Sequence, residues 1–143
     1  MPRADFYQLK SNDPASRYPL LCRLLEKAVS GTQQVYVVCR DDAEASHLND
    51  YIWAFKPDSF IAHECAHSES GVFSPVILGH PATPKPHQPT HTDICINLSS
   101  EPAPKEYDRI IELVAQEETL LNTAREHFRV YRQQGRTMQS HKV

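Results

Sequence analysis

Gln34-Val35-Tyr36-Val37-Val38-Cys39 constrains the fold more than any other stretch of the chain. It is a short, β-branched, mostly apolar run without polar alternation, which suits a strand covered on both faces. Such a strand belongs in the middle of a parallel sheet. Arg40-Asp41-Asp42 then turns the chain, Asp42 is placed to cap a helix with Glu44 in its first turn, and Pro57 closes that helix after Phe55. Ala45, Leu48, Ile52 and Phe55 recur at i, i+3, i+7 and i+10 and form its buried stripe. Trp53 falls on the opposite face, with Asp42, Ser46 and Asn49. Two readings are open for it: a partner surface, or an indole covered by a loop or by the C-terminal tail.

Strand-like and helix-like segments alternate on both sides of this unit. Residues 4–9 read as a first strand, and 59–63, 75–79, 93–98 and 109–114 as later ones, the last also compatible with a helix. Ser16 is placed to cap a helix that tolerates Pro19 in its first turn, buries Tyr18, Leu21, Cys22, Leu25 and Val29, and stops at Gly31. The longest helix opens at Glu117-Glu118, runs to Gln134 and ends at Gly135. Residues 80–92 hold four prolines and three histidines with hardly an aliphatic side chain, the pattern of an extended or mobile surface loop. The pattern predicts one α/β domain over residues 1–143, with a mostly parallel, doubly covered sheet of five or six strands. A chain of 143 residues can bury a core of that size.

Several functions fit poorly. The loop at 10–14 lacks glycine, so neither a Walker loop nor a dinucleotide fingerprint follows the first strand, and no cofactor is expected. There is no Gly-x-Ser-x-Gly elbow, and no catalytic residue is assigned. A net charge of −3 argues against binding bare nucleic acid over the whole surface. No leader peptide and no membrane-length apolar run is recognised, so a cytoplasmic protein with no membrane partner is expected. Cys22, Cys39, Cys65 and Cys95 are irregularly spaced, and three of them lie in apolar patterns where a free thiol acts as a small hydrophobe.

His63-Glu64-Cys65-Ala66-His67 matches H-E-x-x-H, the pattern of a zinc hydrolase with His63 and His67 as ligands and Glu64 as base. That chemistry needs a continuous helix. Here a strand-like segment leads in and Ser68 to Gly71 breaks the chain directly after, so a chance match is the better reading and no metal is expected. His80, His87 and His91 are better read as solvated side chains than as ligands.

The last helix carries Arg125, Arg129, Arg132 and Arg136 at i, i+4, i+7 and i+11. A solvated basic face near the helix C-terminus is the plain reading. Phe128, adjacent to Arg125 on the helix surface, and Val114, at the end of the strand before it, favour another. An apolar notch rimmed by guanidinium groups suits an acidic peptide with a hydrophobic end and a free carboxylate.

With these features in view the chain resembles the chi subunit family of bacterial DNA polymerase III holoenzyme. The resemblance rests on Phe6-Tyr7 and Leu9, Val37-Val38-Cys39, Leu48 to Trp53-Ala54, Pro57, Ser59-Phe60, His63, Asp93-Ile94, Asn97-Leu98, and Ala124-Arg125-Glu126 through Tyr131-Arg132 to Gly135. It implies a mononucleotide-binding-like (Rossmann-like) fold and a non-catalytic accessory subunit of the clamp-loader assembly. Such a subunit would be a monomer within a hetero-complex, without sequence-specific DNA binding of its own. It further implies one surface, including Trp53 and Phe60, for the psi subunit, with a helicase as the alternative partner. A second surface, including Val114, Arg125 and Phe128, would hold the acidic C-terminal tail of the single-stranded-DNA-binding protein. Leu121 stands where some family members carry lysine, and Phe128 where some carry tyrosine, which implies either a weaker basic rim or one supplied by Arg129 and Arg132.

Overall fold

The computed structural model describes residues 2–55, 61–66, 74–84 and 87–143. Among these, seven strands form one sheet: β1 (Arg3–Gln8), β2 (Val35–Val38), β3 (His63–Cys65), β4 (Val76–Gly79), β5 (Ile94–Asn97), β6 (Arg109–Val114) and β7 (Thr137–Lys142). Three α-helices accompany them: α1 (Arg17–Ser30), α2 (Asp42–Phe55) and α3 (Glu118–Gln133). The strand order is β3-β4-β2-β5-β6-β1-β7 and every pairing is parallel. The expected α/β class with a parallel sheet is therefore present, with seven strands in place of five or six. The addition is β7, which lies at an edge and is largely exposed on both faces. It shows no apolar alternation because, apart from Met138 against the α3-side layer, its side chains face solvent or the groove. The stretch at 59–63 yields strand only from His63 onward, while residues 59 and 60 lie outside the described residues.

Val35, Tyr36, Val37 and Val38 are all buried, as a strand inside a two-sided sheet requires. Their side chains divide between two layers. Val35 and Val37 join Leu21, Leu25, Leu48 and Ile52 under α1 and α2. Tyr36 and Val38 join Phe6, Ile77, Ile110 and Tyr131 on the α3 side. Each fully buried aliphatic side chain here contributes about 1.5–3 kcal/mol relative to exposure.

The α2 stripe is buried as its spacing predicts, with Phe55 only partly covered. Its cap is Asp41 and not Asp42: the Glu44 N–H donates to Asp41 Oδ1 at 2.8 Å, and Glu44 Oε1 accepts the Arg40 N–H at 2.6 Å. This reciprocal pair satisfies the Glu44 N–H, one of the donors that a helix start leaves open, together with the N–H just before the cap. Ser16 makes no side-chain cap to α1; Asp13 instead caps the short 3-10 turn Pro14–Ser16 that leads into it. Gly31 closes α1 without left-handed backbone, and Thr32 takes the positive φ of 59°. At the far end Glu117 caps α3 by accepting from the Thr119 and Leu120 N–H groups, and Gly135 turns the chain at φ 79°.

The edge strand β7 is fastened to β1 by a fully buried carboxylate. Asp5 accepts from Arg109 Nε at 2.7 Å and pairs with His141 Nε2 at 3.0 Å and Arg3 Nε at 3.2 Å. Burial alone would raise the Asp5 carboxyl, and the His141 and Arg109 hydrogen bonds outweigh it and hold the group below its ordinary value.

Gly79 ends β4 beneath the Tyr36 ring, and a Cβ added there would stand 2.5 Å from the phenol oxygen and 2.8 Å from Cε1. Gly79→Ala should therefore cost roughly 1–3 kcal/mol of stability, read as a lowered urea midpoint. An unchanged midpoint would mean that Tyr36 swings aside without loss.

Candidate functional site

Two constellations lie on the α3 side of the sheet, one buried and one open. The buried one is built on Glu112, a carboxylate in the middle of the apolar strand β6. Glu112 Oε2 accepts from Tyr131 Oη at 2.6 Å and Asn97 Nδ2 at 2.9 Å, and pairs with His127 Nδ1 at 3.0 Å. Tyr131 and His127 lie four residues apart on the inward face of α3 and are essentially inaccessible. Tyr131 Oη also accepts from the Ala103 N–H at 2.9 Å, which ties down the connection between β5 and β6. His127 Nε2 lies 3.1 Å from the Ser100 carbonyl. Both ring nitrogens thus face acceptors, an arrangement that needs a proton on each. Burial opposes that charge, but the Glu112 hydrogen bond and negative charge prevail and raise the His127 pKa above its ordinary value.

Arg136 belongs to this inner region and not to a basic stripe. It lies beyond α3, buried, and donates to the carbonyls of Tyr107 at 2.7 Å and Lys105 at 2.8 Å. The turn at Gly135 breaks the helical spacing that would have carried it onto the outer face.

The open constellation is a groove between α3 and the sheet, a cavity of about 530 Å³ lined by Phe6, Gln8, Val114, Leu121, Ala124, Arg125, Phe128, Arg129, Arg132 and Ser140. All four residues expected around an acidic peptide, Val114, Arg125, Phe128 and Arg129, are among them. Val114 is the buried last residue of β6, while Phe128 stays 37% exposed and packs its ring 5.5 Å from that of Phe6. Phe6 in turn lies 6.1 Å from the Tyr131 ring, so the floor of the groove rests on the buried constellation. Arg125 donates to Asn122 Oδ1 at 2.9 Å, and Arg129 pairs with Glu126 at 3.3 Å. The rim is cationic, the floor apolar, and the opening faces solvent, which suits a chain end that is acidic and capped by a hydrophobic side chain. Phe6 escaped the sequence reading of this site, although its i, i+2 spacing from Ala4 already places the two on one sheet face, with Tyr7 on the other.

Trp53 projects from α2, 52% exposed, with its ring 4.5 Å from that of His63. It sits by the β3 edge, and β7 occupies the other edge, so the C-terminal segment does not cover it. Phe60 lies outside the described residues.

The H-E-x-x-H reading does not survive. His63, Glu64 and Cys65 form a β-strand, which lacks the one-turn helical spacing that zinc chemistry needs, and His67 lies outside the described residues. Both His63 ring nitrogens contact backbone carbonyls, Ile61 at 2.6 Å and Asn49 at 3.2 Å. Among the described residues no three His, Cys, Asp or Glu side chains converge in a way that could hold a metal ion. His80 and His91 accept backbone N–H groups of their own loop, from Ala82 at 3.2 Å and Asp93 at 3.3 Å. The four cysteines are unpaired, and burial pushes the Cys22 thiol up to about 12 and the Cys39 and Cys95 thiols well above their ordinary range. They pack as hydrophobes. No helix among the described residues is long and apolar enough to cross a membrane.

A family model described as "DNA polymerase III chi subunit, HolC" matches residues 1–139. The chain is 40% identical over 146 aligned residues to the DNA polymerase III subunit chi of Pseudomonas aeruginosa (strain PAO1), covering 100% of this chain and 98% of that one. It is 26% identical over 141 residues to the subunit of the same name from Escherichia coli (strain K12), with 94% of each chain covered. A third relative of that name, from Haemophilus influenzae (strain Rd), is 22% identical over 142 residues, covering 98% of this chain and 96% of the relative.

The raised pKa of His127 fixes the sign of a pH effect. Its contribution to stability is complete below its unfolded value of about 6.5 and is lost as pH rises through the higher folded value. The stability difference between the wild type and His127→Gln, from urea titrations on either side of neutrality, should therefore narrow with rising pH. A constant difference would mean that folding leaves the ring's pKa unchanged, and one that widens with rising pH would mean that the ring is held neutral.

Proposed function

The chain belongs to the DNA polymerase III chi subunit family, and from that membership we propose that it is a non-catalytic adaptor of the clamp-loader assembly. As a subunit of DNA polymerase III it works within a hetero-complex in DNA replication. In this reading the groove beside α3 captures the acidic C-terminal tail of the single-stranded-DNA-binding protein, and the Trp53 surface, with Phe60, meets the psi subunit. The adaptor thus links the replicase, in the cytoplasm, to protein-coated single strands.

The observation that carries the tail reading is that Val114, from the sheet, and Arg125, Phe128 and Arg129, from α3, line one cavity with an apolar floor and a cationic rim. The terminal hydrophobic side chain of the tail would lie against Val114 and Phe128, with its carboxylate paired to Arg125. Burying that side chain is worth about 1.5–3 kcal/mol and is insensitive to salt, whereas the exposed charge pairs are screened. High salt should therefore weaken binding without abolishing it.

Fluorescence anisotropy with a labelled peptide copying the C-terminus of the host's single-stranded-DNA-binding protein tests this. Saturable binding should be lost when the last residue is removed, and Arg125→Ala should cost on the order of 1–3 kcal/mol. A folded Arg125→Ala variant that binds as well as the wild type would overturn the pocket assignment. For the second surface, Trp53→Ala should cost about 2 kcal/mol or more in binding to psi, measured by titration calorimetry. Unchanged affinity would move that interface away from α2.

A further inference from the structure

We propose that the groove beside α3 reads its acidic peptide in one polarity and one register, with Arg132 receiving the carboxylate of the third residue before the peptide's terminus. This rests on the tail-binding reading and adds a specificity-determining residue to it.

The polarity follows from where the apolar lining is concentrated. Val114, Leu121 and Ala124 all lie toward the start of α3, around Arg125, whereas Arg132 lies near the end of that helix, beyond these apolar side chains. A hydrophobic chain end and its carboxylate therefore fit the Arg125 end, and the preceding residues leave past Arg129 toward Arg132. The crossover from β6 to the parallel strand β7 makes α3 run against the strands. The bound peptide, ending near Arg125, would thus run with β1 and β7 and against α3.

The register follows from two repeats. Arg125 and Arg132 share one face of α3 seven residues apart, about 10 Å at 1.5 Å per residue. An extended peptide covers that distance in about three residues at roughly 3.3 Å each. The three guanidinium groups also differ in their present commitments. Arg125 is hydrogen-bonded to Asn122, and Arg129 is paired with Glu126, whose charge disfavours a second acid beside it. The Arg132 side chain is exposed, and its guanidinium makes no hydrogen bond or ion pair among the described residues. It is the cation that an incoming carboxylate can engage without displacing an existing partner.

The test is a double-mutant cycle on the full chain, using a nine-residue acidic peptide ending in phenylalanine. Aspartate is replaced by asparagine at either the third or the fifth residue before the terminus. Arg132→Ala should weaken the parent peptide about three- to fivefold at low salt, as an exposed ion pair allows. It should have no effect on the peptide with asparagine at the third position, while the peptide with asparagine at the fifth should respond like the parent. Arg132→Glu should enlarge the first loss. Equal losses for all three peptides, or none for the parent, would overturn the register while leaving the tail reading intact. A parent peptide that does not bind the wild type, or ignores Arg125→Ala, would overturn the tail reading and this inference with it. Arg132 is exposed, so unchanged thermal unfolding of its variants is the folding control.

Discussion

The carboxylate of Glu112 is the constraint on which this side of the molecule depends. An ion inside an apolar layer is tolerated only when its oxygens are matched by donors in good geometry. Here the donors come from a neighbouring strand, through Asn97, and from α3, through Tyr131 and His127. Because the two helical donors are four residues apart, they fix both the rotation of α3 about its axis and its position along the sheet. A slip by one residue would leave the charge buried and unpaired. Purely apolar packing would discriminate against such a slip less sharply, since hydrophobic contacts are not directional.

Fixing the rotation of α3 also decides what its side presents. With His127 and Tyr131 turned inward, the stripe of Leu121, Arg125, Phe128 and Arg132 lies at the margin, where the helix stops covering the sheet. Phe6 on the sheet and Phe128 on the helix meet there and leave an apolar strip that neither element closes. The opposite layer shows the contrast. Two helices, α1 and α2, cover it, and their leucines and isoleucines close over the sheet. Tyr18 and Arg17 meet the Glu44 carboxylate at 2.8 Å and 3.7 Å where those helices adjoin.

Much of this was legible in the sequence, and the remainder was hidden for definite reasons. The buried strands declared themselves because their β-branched runs have one physical use. The α2 stripe did so because helical spacing and burial coincide. The edge strand β7 was invisible because Thr-Met-Gln-Ser-His-Lys is held by its backbone ladder and by the His141 contact to Asp5, neither of which leaves a hydropathy pattern. Arg136 was misassigned because periodicity cannot see that the helix ends at Gln133, three residues before the spacing is completed. Glu112 gave a usable signal: a lone charge in Ile110-Ile111-Glu112-Leu113-Val114 implies a buried partner, though not which one. Of the groove, the α3 residues and Val114 were legible from spacing, chemistry and family resemblance. Phe6, Gln8 and Ser140 were not, because only the sheet order brings those strands beside α3.

That sheet order has a consequence for how the molecule comes into being. β1 lies between β6 and β7, and its contact to Arg109 through Asp5 joins residues 104 positions apart. On the ribosome β1 must wait, unpaired, until nearly all the rest of the domain has emerged. Long-range parallel pairing of this kind is slow to nucleate, because loop closure precedes any gain from contact. The groove inherits that delay, since Phe6 comes from the earliest strand and Ser140 from the last. A nascent chain lacks the apolar floor, so the surface exists only on a polypeptide whose β1, β6, α3 and β7 have all been made.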